Sequence, residues 1–279
     1  MKKSAVKLIV SMSFILIGIV LIFSGFAVSG FSFEEVFRDD RVKRTVELSG
    51  DFSRITIDCN LDSIEFLPAE GDSCVVEVYE NDNYQYDISE SGGELSINCE
   101  EDYKWYQDTR WSMLFSQKTI MVYLPQQSYR SLNVTTDIGS LKLYGGFQIE
   151  EAMLKTNIGE IEVTGANHDR KATDHVYRSL RLKTDIGSIK VDGGLAVKEG
   201  EYKTNIGEIS IEVPANGLPN DYVCEKLQLS TNIGSIHVAP GYLVASIQAE
   251  SNIGEVDAPV PFSSRRTNFP NGMEGIIFN

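Results

Sequence analysis

"TDIGSLKL", residues 136–143, returns as "TNIGEIEV" at 156–163 and then four more times. The six copies are TDIGS 136–140, TNIGE 156–160, TDIGS 184–188, TNIGE 204–208, TNIGS 231–235 and SNIGE 251–255. Their glycines, Gly139, Gly159, Gly187, Gly207, Gly234 and Gly254, are separated by 20, 28, 20, 27 and 20 residues. A short fixed period is the signature of a fold made of stacked repeats. The longer steps read as the same 20-residue coil carrying an inserted loop, one within 166–179 and one within 214–226.

The residues around each Ile are as regular as the glycines. Thr or Ser stands two before it, from Thr136 to Ser251. Val134, Leu154, Leu182, Tyr202, Leu229 and Ala249 stand four before it. Leu141, Ile161, Ile189, Ile209, Ile236 and Val256 follow at three, and Leu143, Val163, Val191, Ile211, Val238 and Ala258 at five. Alternation with period two on both sides of a turn predicts strands with one buried face, and it does not fit a helix. Stacked coils would place equivalent residues about 4.8 Å apart, the spacing of hydrogen-bonded strands. The fold class is therefore all-β, a single-chain β-solenoid of about 20-residue coils.

The turn chemistry agrees. Asn or Asp before Ile-Gly tolerates turn conformations, and stacked Asn side chains can bond one another along a column. The six glycines are the predicted structural turn, supplying a positive φ that a β-branched residue resists. After the Gly, Ser and Glu alternate, which keeps like charges from facing each other in adjacent strands. Four residues after the Ile the column runs Lys142, Glu162, Lys190, Ser210, His237, Asp257, and Lys142 and Lys190 can flank the glutamates. A degenerate copy, "ITIDCNLDSIEF" at 55–66, aligns with Leu61 in the Ile place and Asp62 in place of the Gly. The solenoid thus starts near residue 45, with less regular coils before residue 131.

The N-terminus bears on compartment. Lys2, Lys3 and Lys7 precede an uncharged run from Leu8 to Val28, long enough at 1.5 Å per residue to make about 31 Å of helix. This predicts one N-terminal transmembrane helix, with the N-terminus cytoplasmic and residues 31–279 outside the cell membrane. Ala27-Val28-Ser29 is an acceptable cleavage site, so a cleaved signal peptide is the alternative. The organisation expected is 1–30 tail and anchor, 31–44 linker, 45–130 irregular coils with an aromatic insertion at 103–115, 131–262 the regular six-coil solenoid, and 263–279 a C-terminal cap. The net charge of −15 becomes −18 without the three lysines, which disfavours nucleic acid and anionic lipid as partners of the exported part. Cys59, Cys74, Cys99 and Cys224 show neither CxxC nor zinc spacing. A Cys59–Cys99 disulfide is one reading; a small buried Cys59 is the other.

No nucleophile motif, phosphate loop or cofactor fingerprint is present, so no catalytic residue, cofactor or metal ligand is assigned and the chain is read as a non-enzyme. "HDRKATDH", His168 to His175, matches no standard metal spacing and reads as a solvated loop. "YKWYQDTRWSMLF", 103–115, holds both tryptophans; Tyr103, Trp105, Tyr106, Trp111 and Phe115 form the candidate interaction surface, the other reading being a lid packed on the coils. Val260-Pro261 and Pro259 stop a seventh regular coil.

The apolar N-terminus, the "ITIDCNLDSIEFLP" opening, the "GELSI…IMVYLP" middle and the repeated T-[DN]-I-G-[SE] coils together resemble the bacterial adhesin-like domains of unknown function. The resemblance covers about residues 45–279. It implies a β-solenoid, often membrane-anchored in Gram-positive bacteria, with some members linked to envelope-stress systems and no established catalytic residues. The expected function is a membrane-anchored, extracytoplasmic binding or scaffold module of the cell envelope. Its expected partners are the membrane through the N-terminal helix, and an envelope protein or cell-wall polymer. The alternatives are an accessory or sensor in envelope-stress signalling and a polysaccharide-active β-helix enzyme.

Overall fold

The computed structural model describes residues 41–258 except 82–83, 102–117, 145–146, 166–175, 194, 214–222 and 241–242, together with Gly18 and Ser24. Among these residues no helix is long and apolar enough to cross a membrane. The run Leu8–Val28, apart from Gly18 and Ser24, lies outside the described residues, as do the loop His168–His175 and the cap expected at 263–279.

The described strands are β1 Val42–Leu48, β2 Arg54–Cys59, β3 Ser63–Pro68, β4 Cys74–Glu80, β5 Tyr84–Ser91, β6 Glu94–Glu101, β7 Thr119–Leu124, β8 Ser128–Ile138, β9 Leu141–Tyr144, β10 Gln148–Ile158, β11 Ile161–Thr164, β12 Val176–Ile186, β13 Ile189–Asp192, β14 Ala196–Ile206, β15 Ile209–Val213, β16 Val223–Cys224, β17 Lys226–Ile233, β18 Ile236–Pro240, β19 Leu243–Val244, β20 Ile247–Ile253 and β21 Val256–Asp257. From β8 onward each repeat gives one longer strand, a corner at Ile-Gly-Ser/Glu, and one shorter strand. The longer strands stack in parallel as β8-β10-β12-β14-β17-β20, the shorter as β9-β11-β13-β15-β18-β21.

Register follows the sequence repeat without slippage. Thr156 faces Thr136 and Thr184, and Ile161 faces Leu141 and Ile189. The four columns read as buried are buried, with Val134, Leu154, Ile161 and Ile189 fully covered; only Val256, in the last coil, is half-exposed. A one-residue slip in any strand would turn its whole apolar set outward, so burial itself fixes the register.

The N-terminal third is built differently. β2 and β3 form the degenerate coil with the alignment the sequence gives: Ile57 faces Val134, Cys59 faces Thr136, Ile64 faces Leu141 and Phe66 faces Leu143. The next coil in the chain, β6 with β7, stacks on the opposite side of it, Ile55 facing Leu95 and Ser63 facing Thr119. The chain then crosses back to lay β8 and β9 on the inner side. Chain order and stacking order therefore part company. Outside β6 and β7 the stack closes with antiparallel strands, β5 on β6, β4 on β7 and β1 on β4. Antiparallel cover at this end replaces parallel pairing that a further coil would offer, which is one way to manage an edge.

Candidate functional site

The corner of each repeat is held by backbone contacts between coils. The buried hydroxyl of Thr156 donates to the Gly139 carbonyl at 3.0 Å, Thr184 to Gly159 at 3.0 Å, Thr204 to Gly187 at 3.0 Å, Thr231 to Gly207 at 3.2 Å and Ser251 to Gly234 at 2.8 Å. This is why only Thr or Ser stands two before the Ile: a buried hydroxyl needs a partner, and the next glycine carbonyl is in reach. The glycine is required by close approach. A Cβ on Gly187 would lie 1.9 Å from the Gly159 carbonyl oxygen, and one on Gly139 2.0 Å from that of Asp62. The positive φ expected of the column is found from Gly159 (156°) to Gly254 (146°), but Gly139 is not among the positive-φ glycines. At Gly139 the expectation is corrected: backbone proximity alone excludes a side chain there.

The Asn/Asp column bonds lengthwise as expected. Asn157 Nδ2 donates to Asp137 Oδ1 at 2.7 Å and Asn205 to Asp185 at 3.1 Å; Asn232 then donates to Asn205 and Asn252 to Asn232. The Ile at the centre of the motif is the residue that faces solvent. Ile158, Ile186, Ile206 and Ile233 are 47–48% exposed and Ile253 65%, so the corner carries an apolar ridge one residue wide along the stack. The sequence signal for this was mixed: Ile is in step with the buried residues four and two before it and out of step with those three and five after it, so the upstream phase points inward and only the downstream phase points outward.

Charged columns flank the ridge on both sheets. On the shorter-strand sheet Glu162 lies between Lys142 (3.6 Å) and Lys190 (4.0 Å), the alternation read from the sequence. On the outer face of the longer-strand sheet Lys155, Lys183 and Lys203 face one another in register. Beside them Arg181 lies 3.8 Å from Glu201, and Lys203 2.6 Å from the same carboxylate. The hydrogen bond from Lys203 holds the Glu201 carboxyl below its ordinary range.

A second polar assembly is buried at the degenerate corner. Asp62, fully buried, accepts hydrogen bonds from the Tyr84 and Tyr86 hydroxyls at the same Oδ2, the latter at 2.6 Å. The Arg41 guanidinium stands 3.8 Å from Oδ1 and 5.8 Å from the Tyr84 ring centre. Burial, and then the Asp62 charge, push both phenols well above their ordinary range. The cluster ties β1 and β5 to the corner between β2 and β3. It is enclosed, and its chemistry is that of a structural pin.

Tyr103, Trp105, Tyr106, Trp111 and Phe115 lie outside the described residues. In the chain they fall between β6 and β7. None of the four cysteines is joined in a disulfide, which corrects the Cys59–Cys99 reading; Cys59, Cys74 and Cys224 are buried, and burial raises the Cys74 and Cys224 thiols to about 12. Among the described residues no three His, Cys, Asp or Glu side chains group as a metal site.

The family model described as Toastrack DUF4097 matches residues 52–269. No curated protein matches the chain. Among solved structures, the putative cell adhesion protein of Clostridium sporogenes is 9% identical, with 82% of this chain and 100% of that one covered and a TM-score of 0.39. The putative adhesin of Bacteroides fragilis is 10% identical over 83% and 99%, with a TM-score of 0.41, and that of Parabacteroides distasonis 12% identical over 82% and 94%, also at 0.41.

Proposed function

The chain belongs to the Toastrack DUF4097 family, and on that premise we propose that it is a non-catalytic binding or scaffold module of the bacterial cell envelope. In this reading the run Leu8–Val28 holds it at the membrane and the coils form an extracytoplasmic solenoid. One observation carries it: the exposed side chains form straight columns in register over consecutive coils, from the Ile ridge to the Asn/Asp and Lys columns. Long linear surfaces suit an extended partner. A catalytic site needs polar groups converging on one point, with a carboxyl whose pKa is raised toward neutrality to serve as an acid. Here Glu162 sits between two lysines, and Glu201 is held ionised by Lys203.

Photo-crosslinking in intact cells tests the reading, with the photoreactive residue placed at Ile206 in one variant and at Trp111 in another. Envelope polymer or an identified envelope protein joined to the chain supports it. A specific membrane-protein partner would select the sensor or accessory form of the proposal. Products confined to the chain itself, from both positions, reject it.

A further inference from the structure

The chain carries a net charge of −15, yet three consecutive copies place lysines in line: Lys155, Lys183 and Lys203, each three residues before a ridge isoleucine. Like charges opposite one another in neighbouring strands oppose pairing. The shorter-strand sheet avoids this by alternating Lys142, Glu162 and Lys190. The lysine column does not avoid it. Lys203 is paired with Glu201, while among the described residues Lys155 and Lys183 have no ion pair. With Arg181 the strip holds four cations against the two carboxylates of Glu201 and Asp185. Along its edge runs the aliphatic ridge of Ile158, Ile186 and Ile206.

We propose that this strip is a binding site for a linear polyanion with an aliphatic or polyol backbone, such as a polyol phosphate, lying along the stacking axis; this rests on the binding-module reading above. The cations are about 4.8 Å apart along that axis, so a chain with repeated anionic groups meets all three at once. Lysine is a point-charge partner for phosphate and tolerates a repeat that does not match its own. The ridge covers methylene groups of the same chain. An anionic bilayer fits less well, because a plane faces the acidic body as a whole. A single strand laid along the strip brings its anionic groups next to the lysines, well inside a Debye length of about 8–10 Å. Nucleic acid without sequence preference uses aromatic platforms for its bases, and the exposed large apolar residues among those described are Val, Met and Ile.

The test uses the full chain in zwitterionic nanodiscs, with poly(glycerol phosphate) as the probe and calorimetric titration at two or more salt concentrations. The wild type should bind, and K155Q/K183Q/K203Q should bind about tenfold or more weakly, its log–log salt slope shallower by about 2. Circular dichroism of the triple variant checks that the coils remain. I206S, which keeps every lysine, should lose affinity by a smaller factor with the slope unchanged. Equal binding by the triple variant overturns the site. So does a wild type that binds anionic vesicles or an oligonucleotide of equal charge better than poly(glycerol phosphate), or that binds none of them. If the site is overturned while envelope crosslinks from Ile206 or Trp111 persist, the binding-module reading survives without it. If both fail, both are wrong.

Discussion

The corner between β8 and β9 and the corner between β2 and β3 occupy the same column and are held by opposite chemistry. In the first, Gly139 has no side chain, and its neighbour's threonine caps its carbonyl. In the second, Asp62 sends a carboxylate into a buried cluster of two tyrosines and an arginine. Gly139 needs to be bare because the Asp62 carbonyl lies where its Cβ would go. Asp62 instead carries a side chain, and the described residues around that side chain are Arg41, Tyr84 and Tyr86. Glycine at a regular corner is thus demanded by the carbonyl of the coil stacked beneath it.

Gly187→Val should have the largest effect. It forces a branched side chain onto the Gly159 carbonyl, backbone against backbone, at a φ of 149°. Neither partner can swing away, so we expect a loss of about 5 kcal/mol or more, enough to abolish cooperative unfolding in urea. A variant that unfolds at the wild-type midpoint would show that the coils can part locally and that the column is not required.

Asp62→Ala attacks the other corner. It takes the shared acceptor from two buried phenols and the carboxylate of the ion pair from the buried Arg41, and loss of one partner of a buried pair costs about 3–5 kcal/mol. We expect the N-terminal strands to lose protection from hydrogen exchange while β10 to β17 keep theirs. Uniform loss along the stack would mean that the two regions are one cooperative unit. The same cluster sets an alkaline limit. Tyr84 and Tyr86 keep their protons in the fold while the unfolded chain loses them near pH 10. Stability is therefore complete below about pH 10 and falls above it. Tyr129 and Tyr177, also raised by burial, act in the same direction, so Y84F/Y86F should reduce the alkaline slope without removing it. An unaltered slope would place the cluster outside the pH response.

Periodicity made the six coils and their buried columns legible, because each buried position repeats the same residue type at the same distance from Ile-Gly. The degenerate copy was legible for the same reason, down to Cys59 in the Thr column. The reversal that puts β6 and β7 outside β2 and β3 was not, since a parallel strand pairs equally well from either side and nothing in the local pattern states which side is taken. The exposure of the ridge isoleucines was hidden: they continue the phase of the buried residues four and two before them, Ile is commonly buried, and it is the corner that ends the alternation and leaves them outside. The Asp62 cluster was hidden because its parts, Arg41, Asp62, Tyr84 and Tyr86, are joined by topology and not by spacing. The lysine column could be read as K-T-[DN]-I in three copies, and it became a surface only when register set the three side by side.

The smallest effect gives the finest comparison. Thr204 and Thr136 donate the same hydroxyl bond in the two regions, to the Gly187 carbonyl at 3.0 Å and to the Asp62 carbonyl at 3.1 Å, and both are buried. Val has the shape of Thr, so T204V and T136V each remove one bond and leave packing intact. Each should cost about 1 kcal/mol, read as a shift in urea midpoint with the slope unchanged. If the Asp62 cluster acts only through its side chain, the two costs agree within about 0.5 kcal/mol. A larger loss for T136V would show that the carboxylate network also positions the carbonyl that starts the hydroxyl ladder, making the N-terminal pin and the six regular corners a single continuous structure.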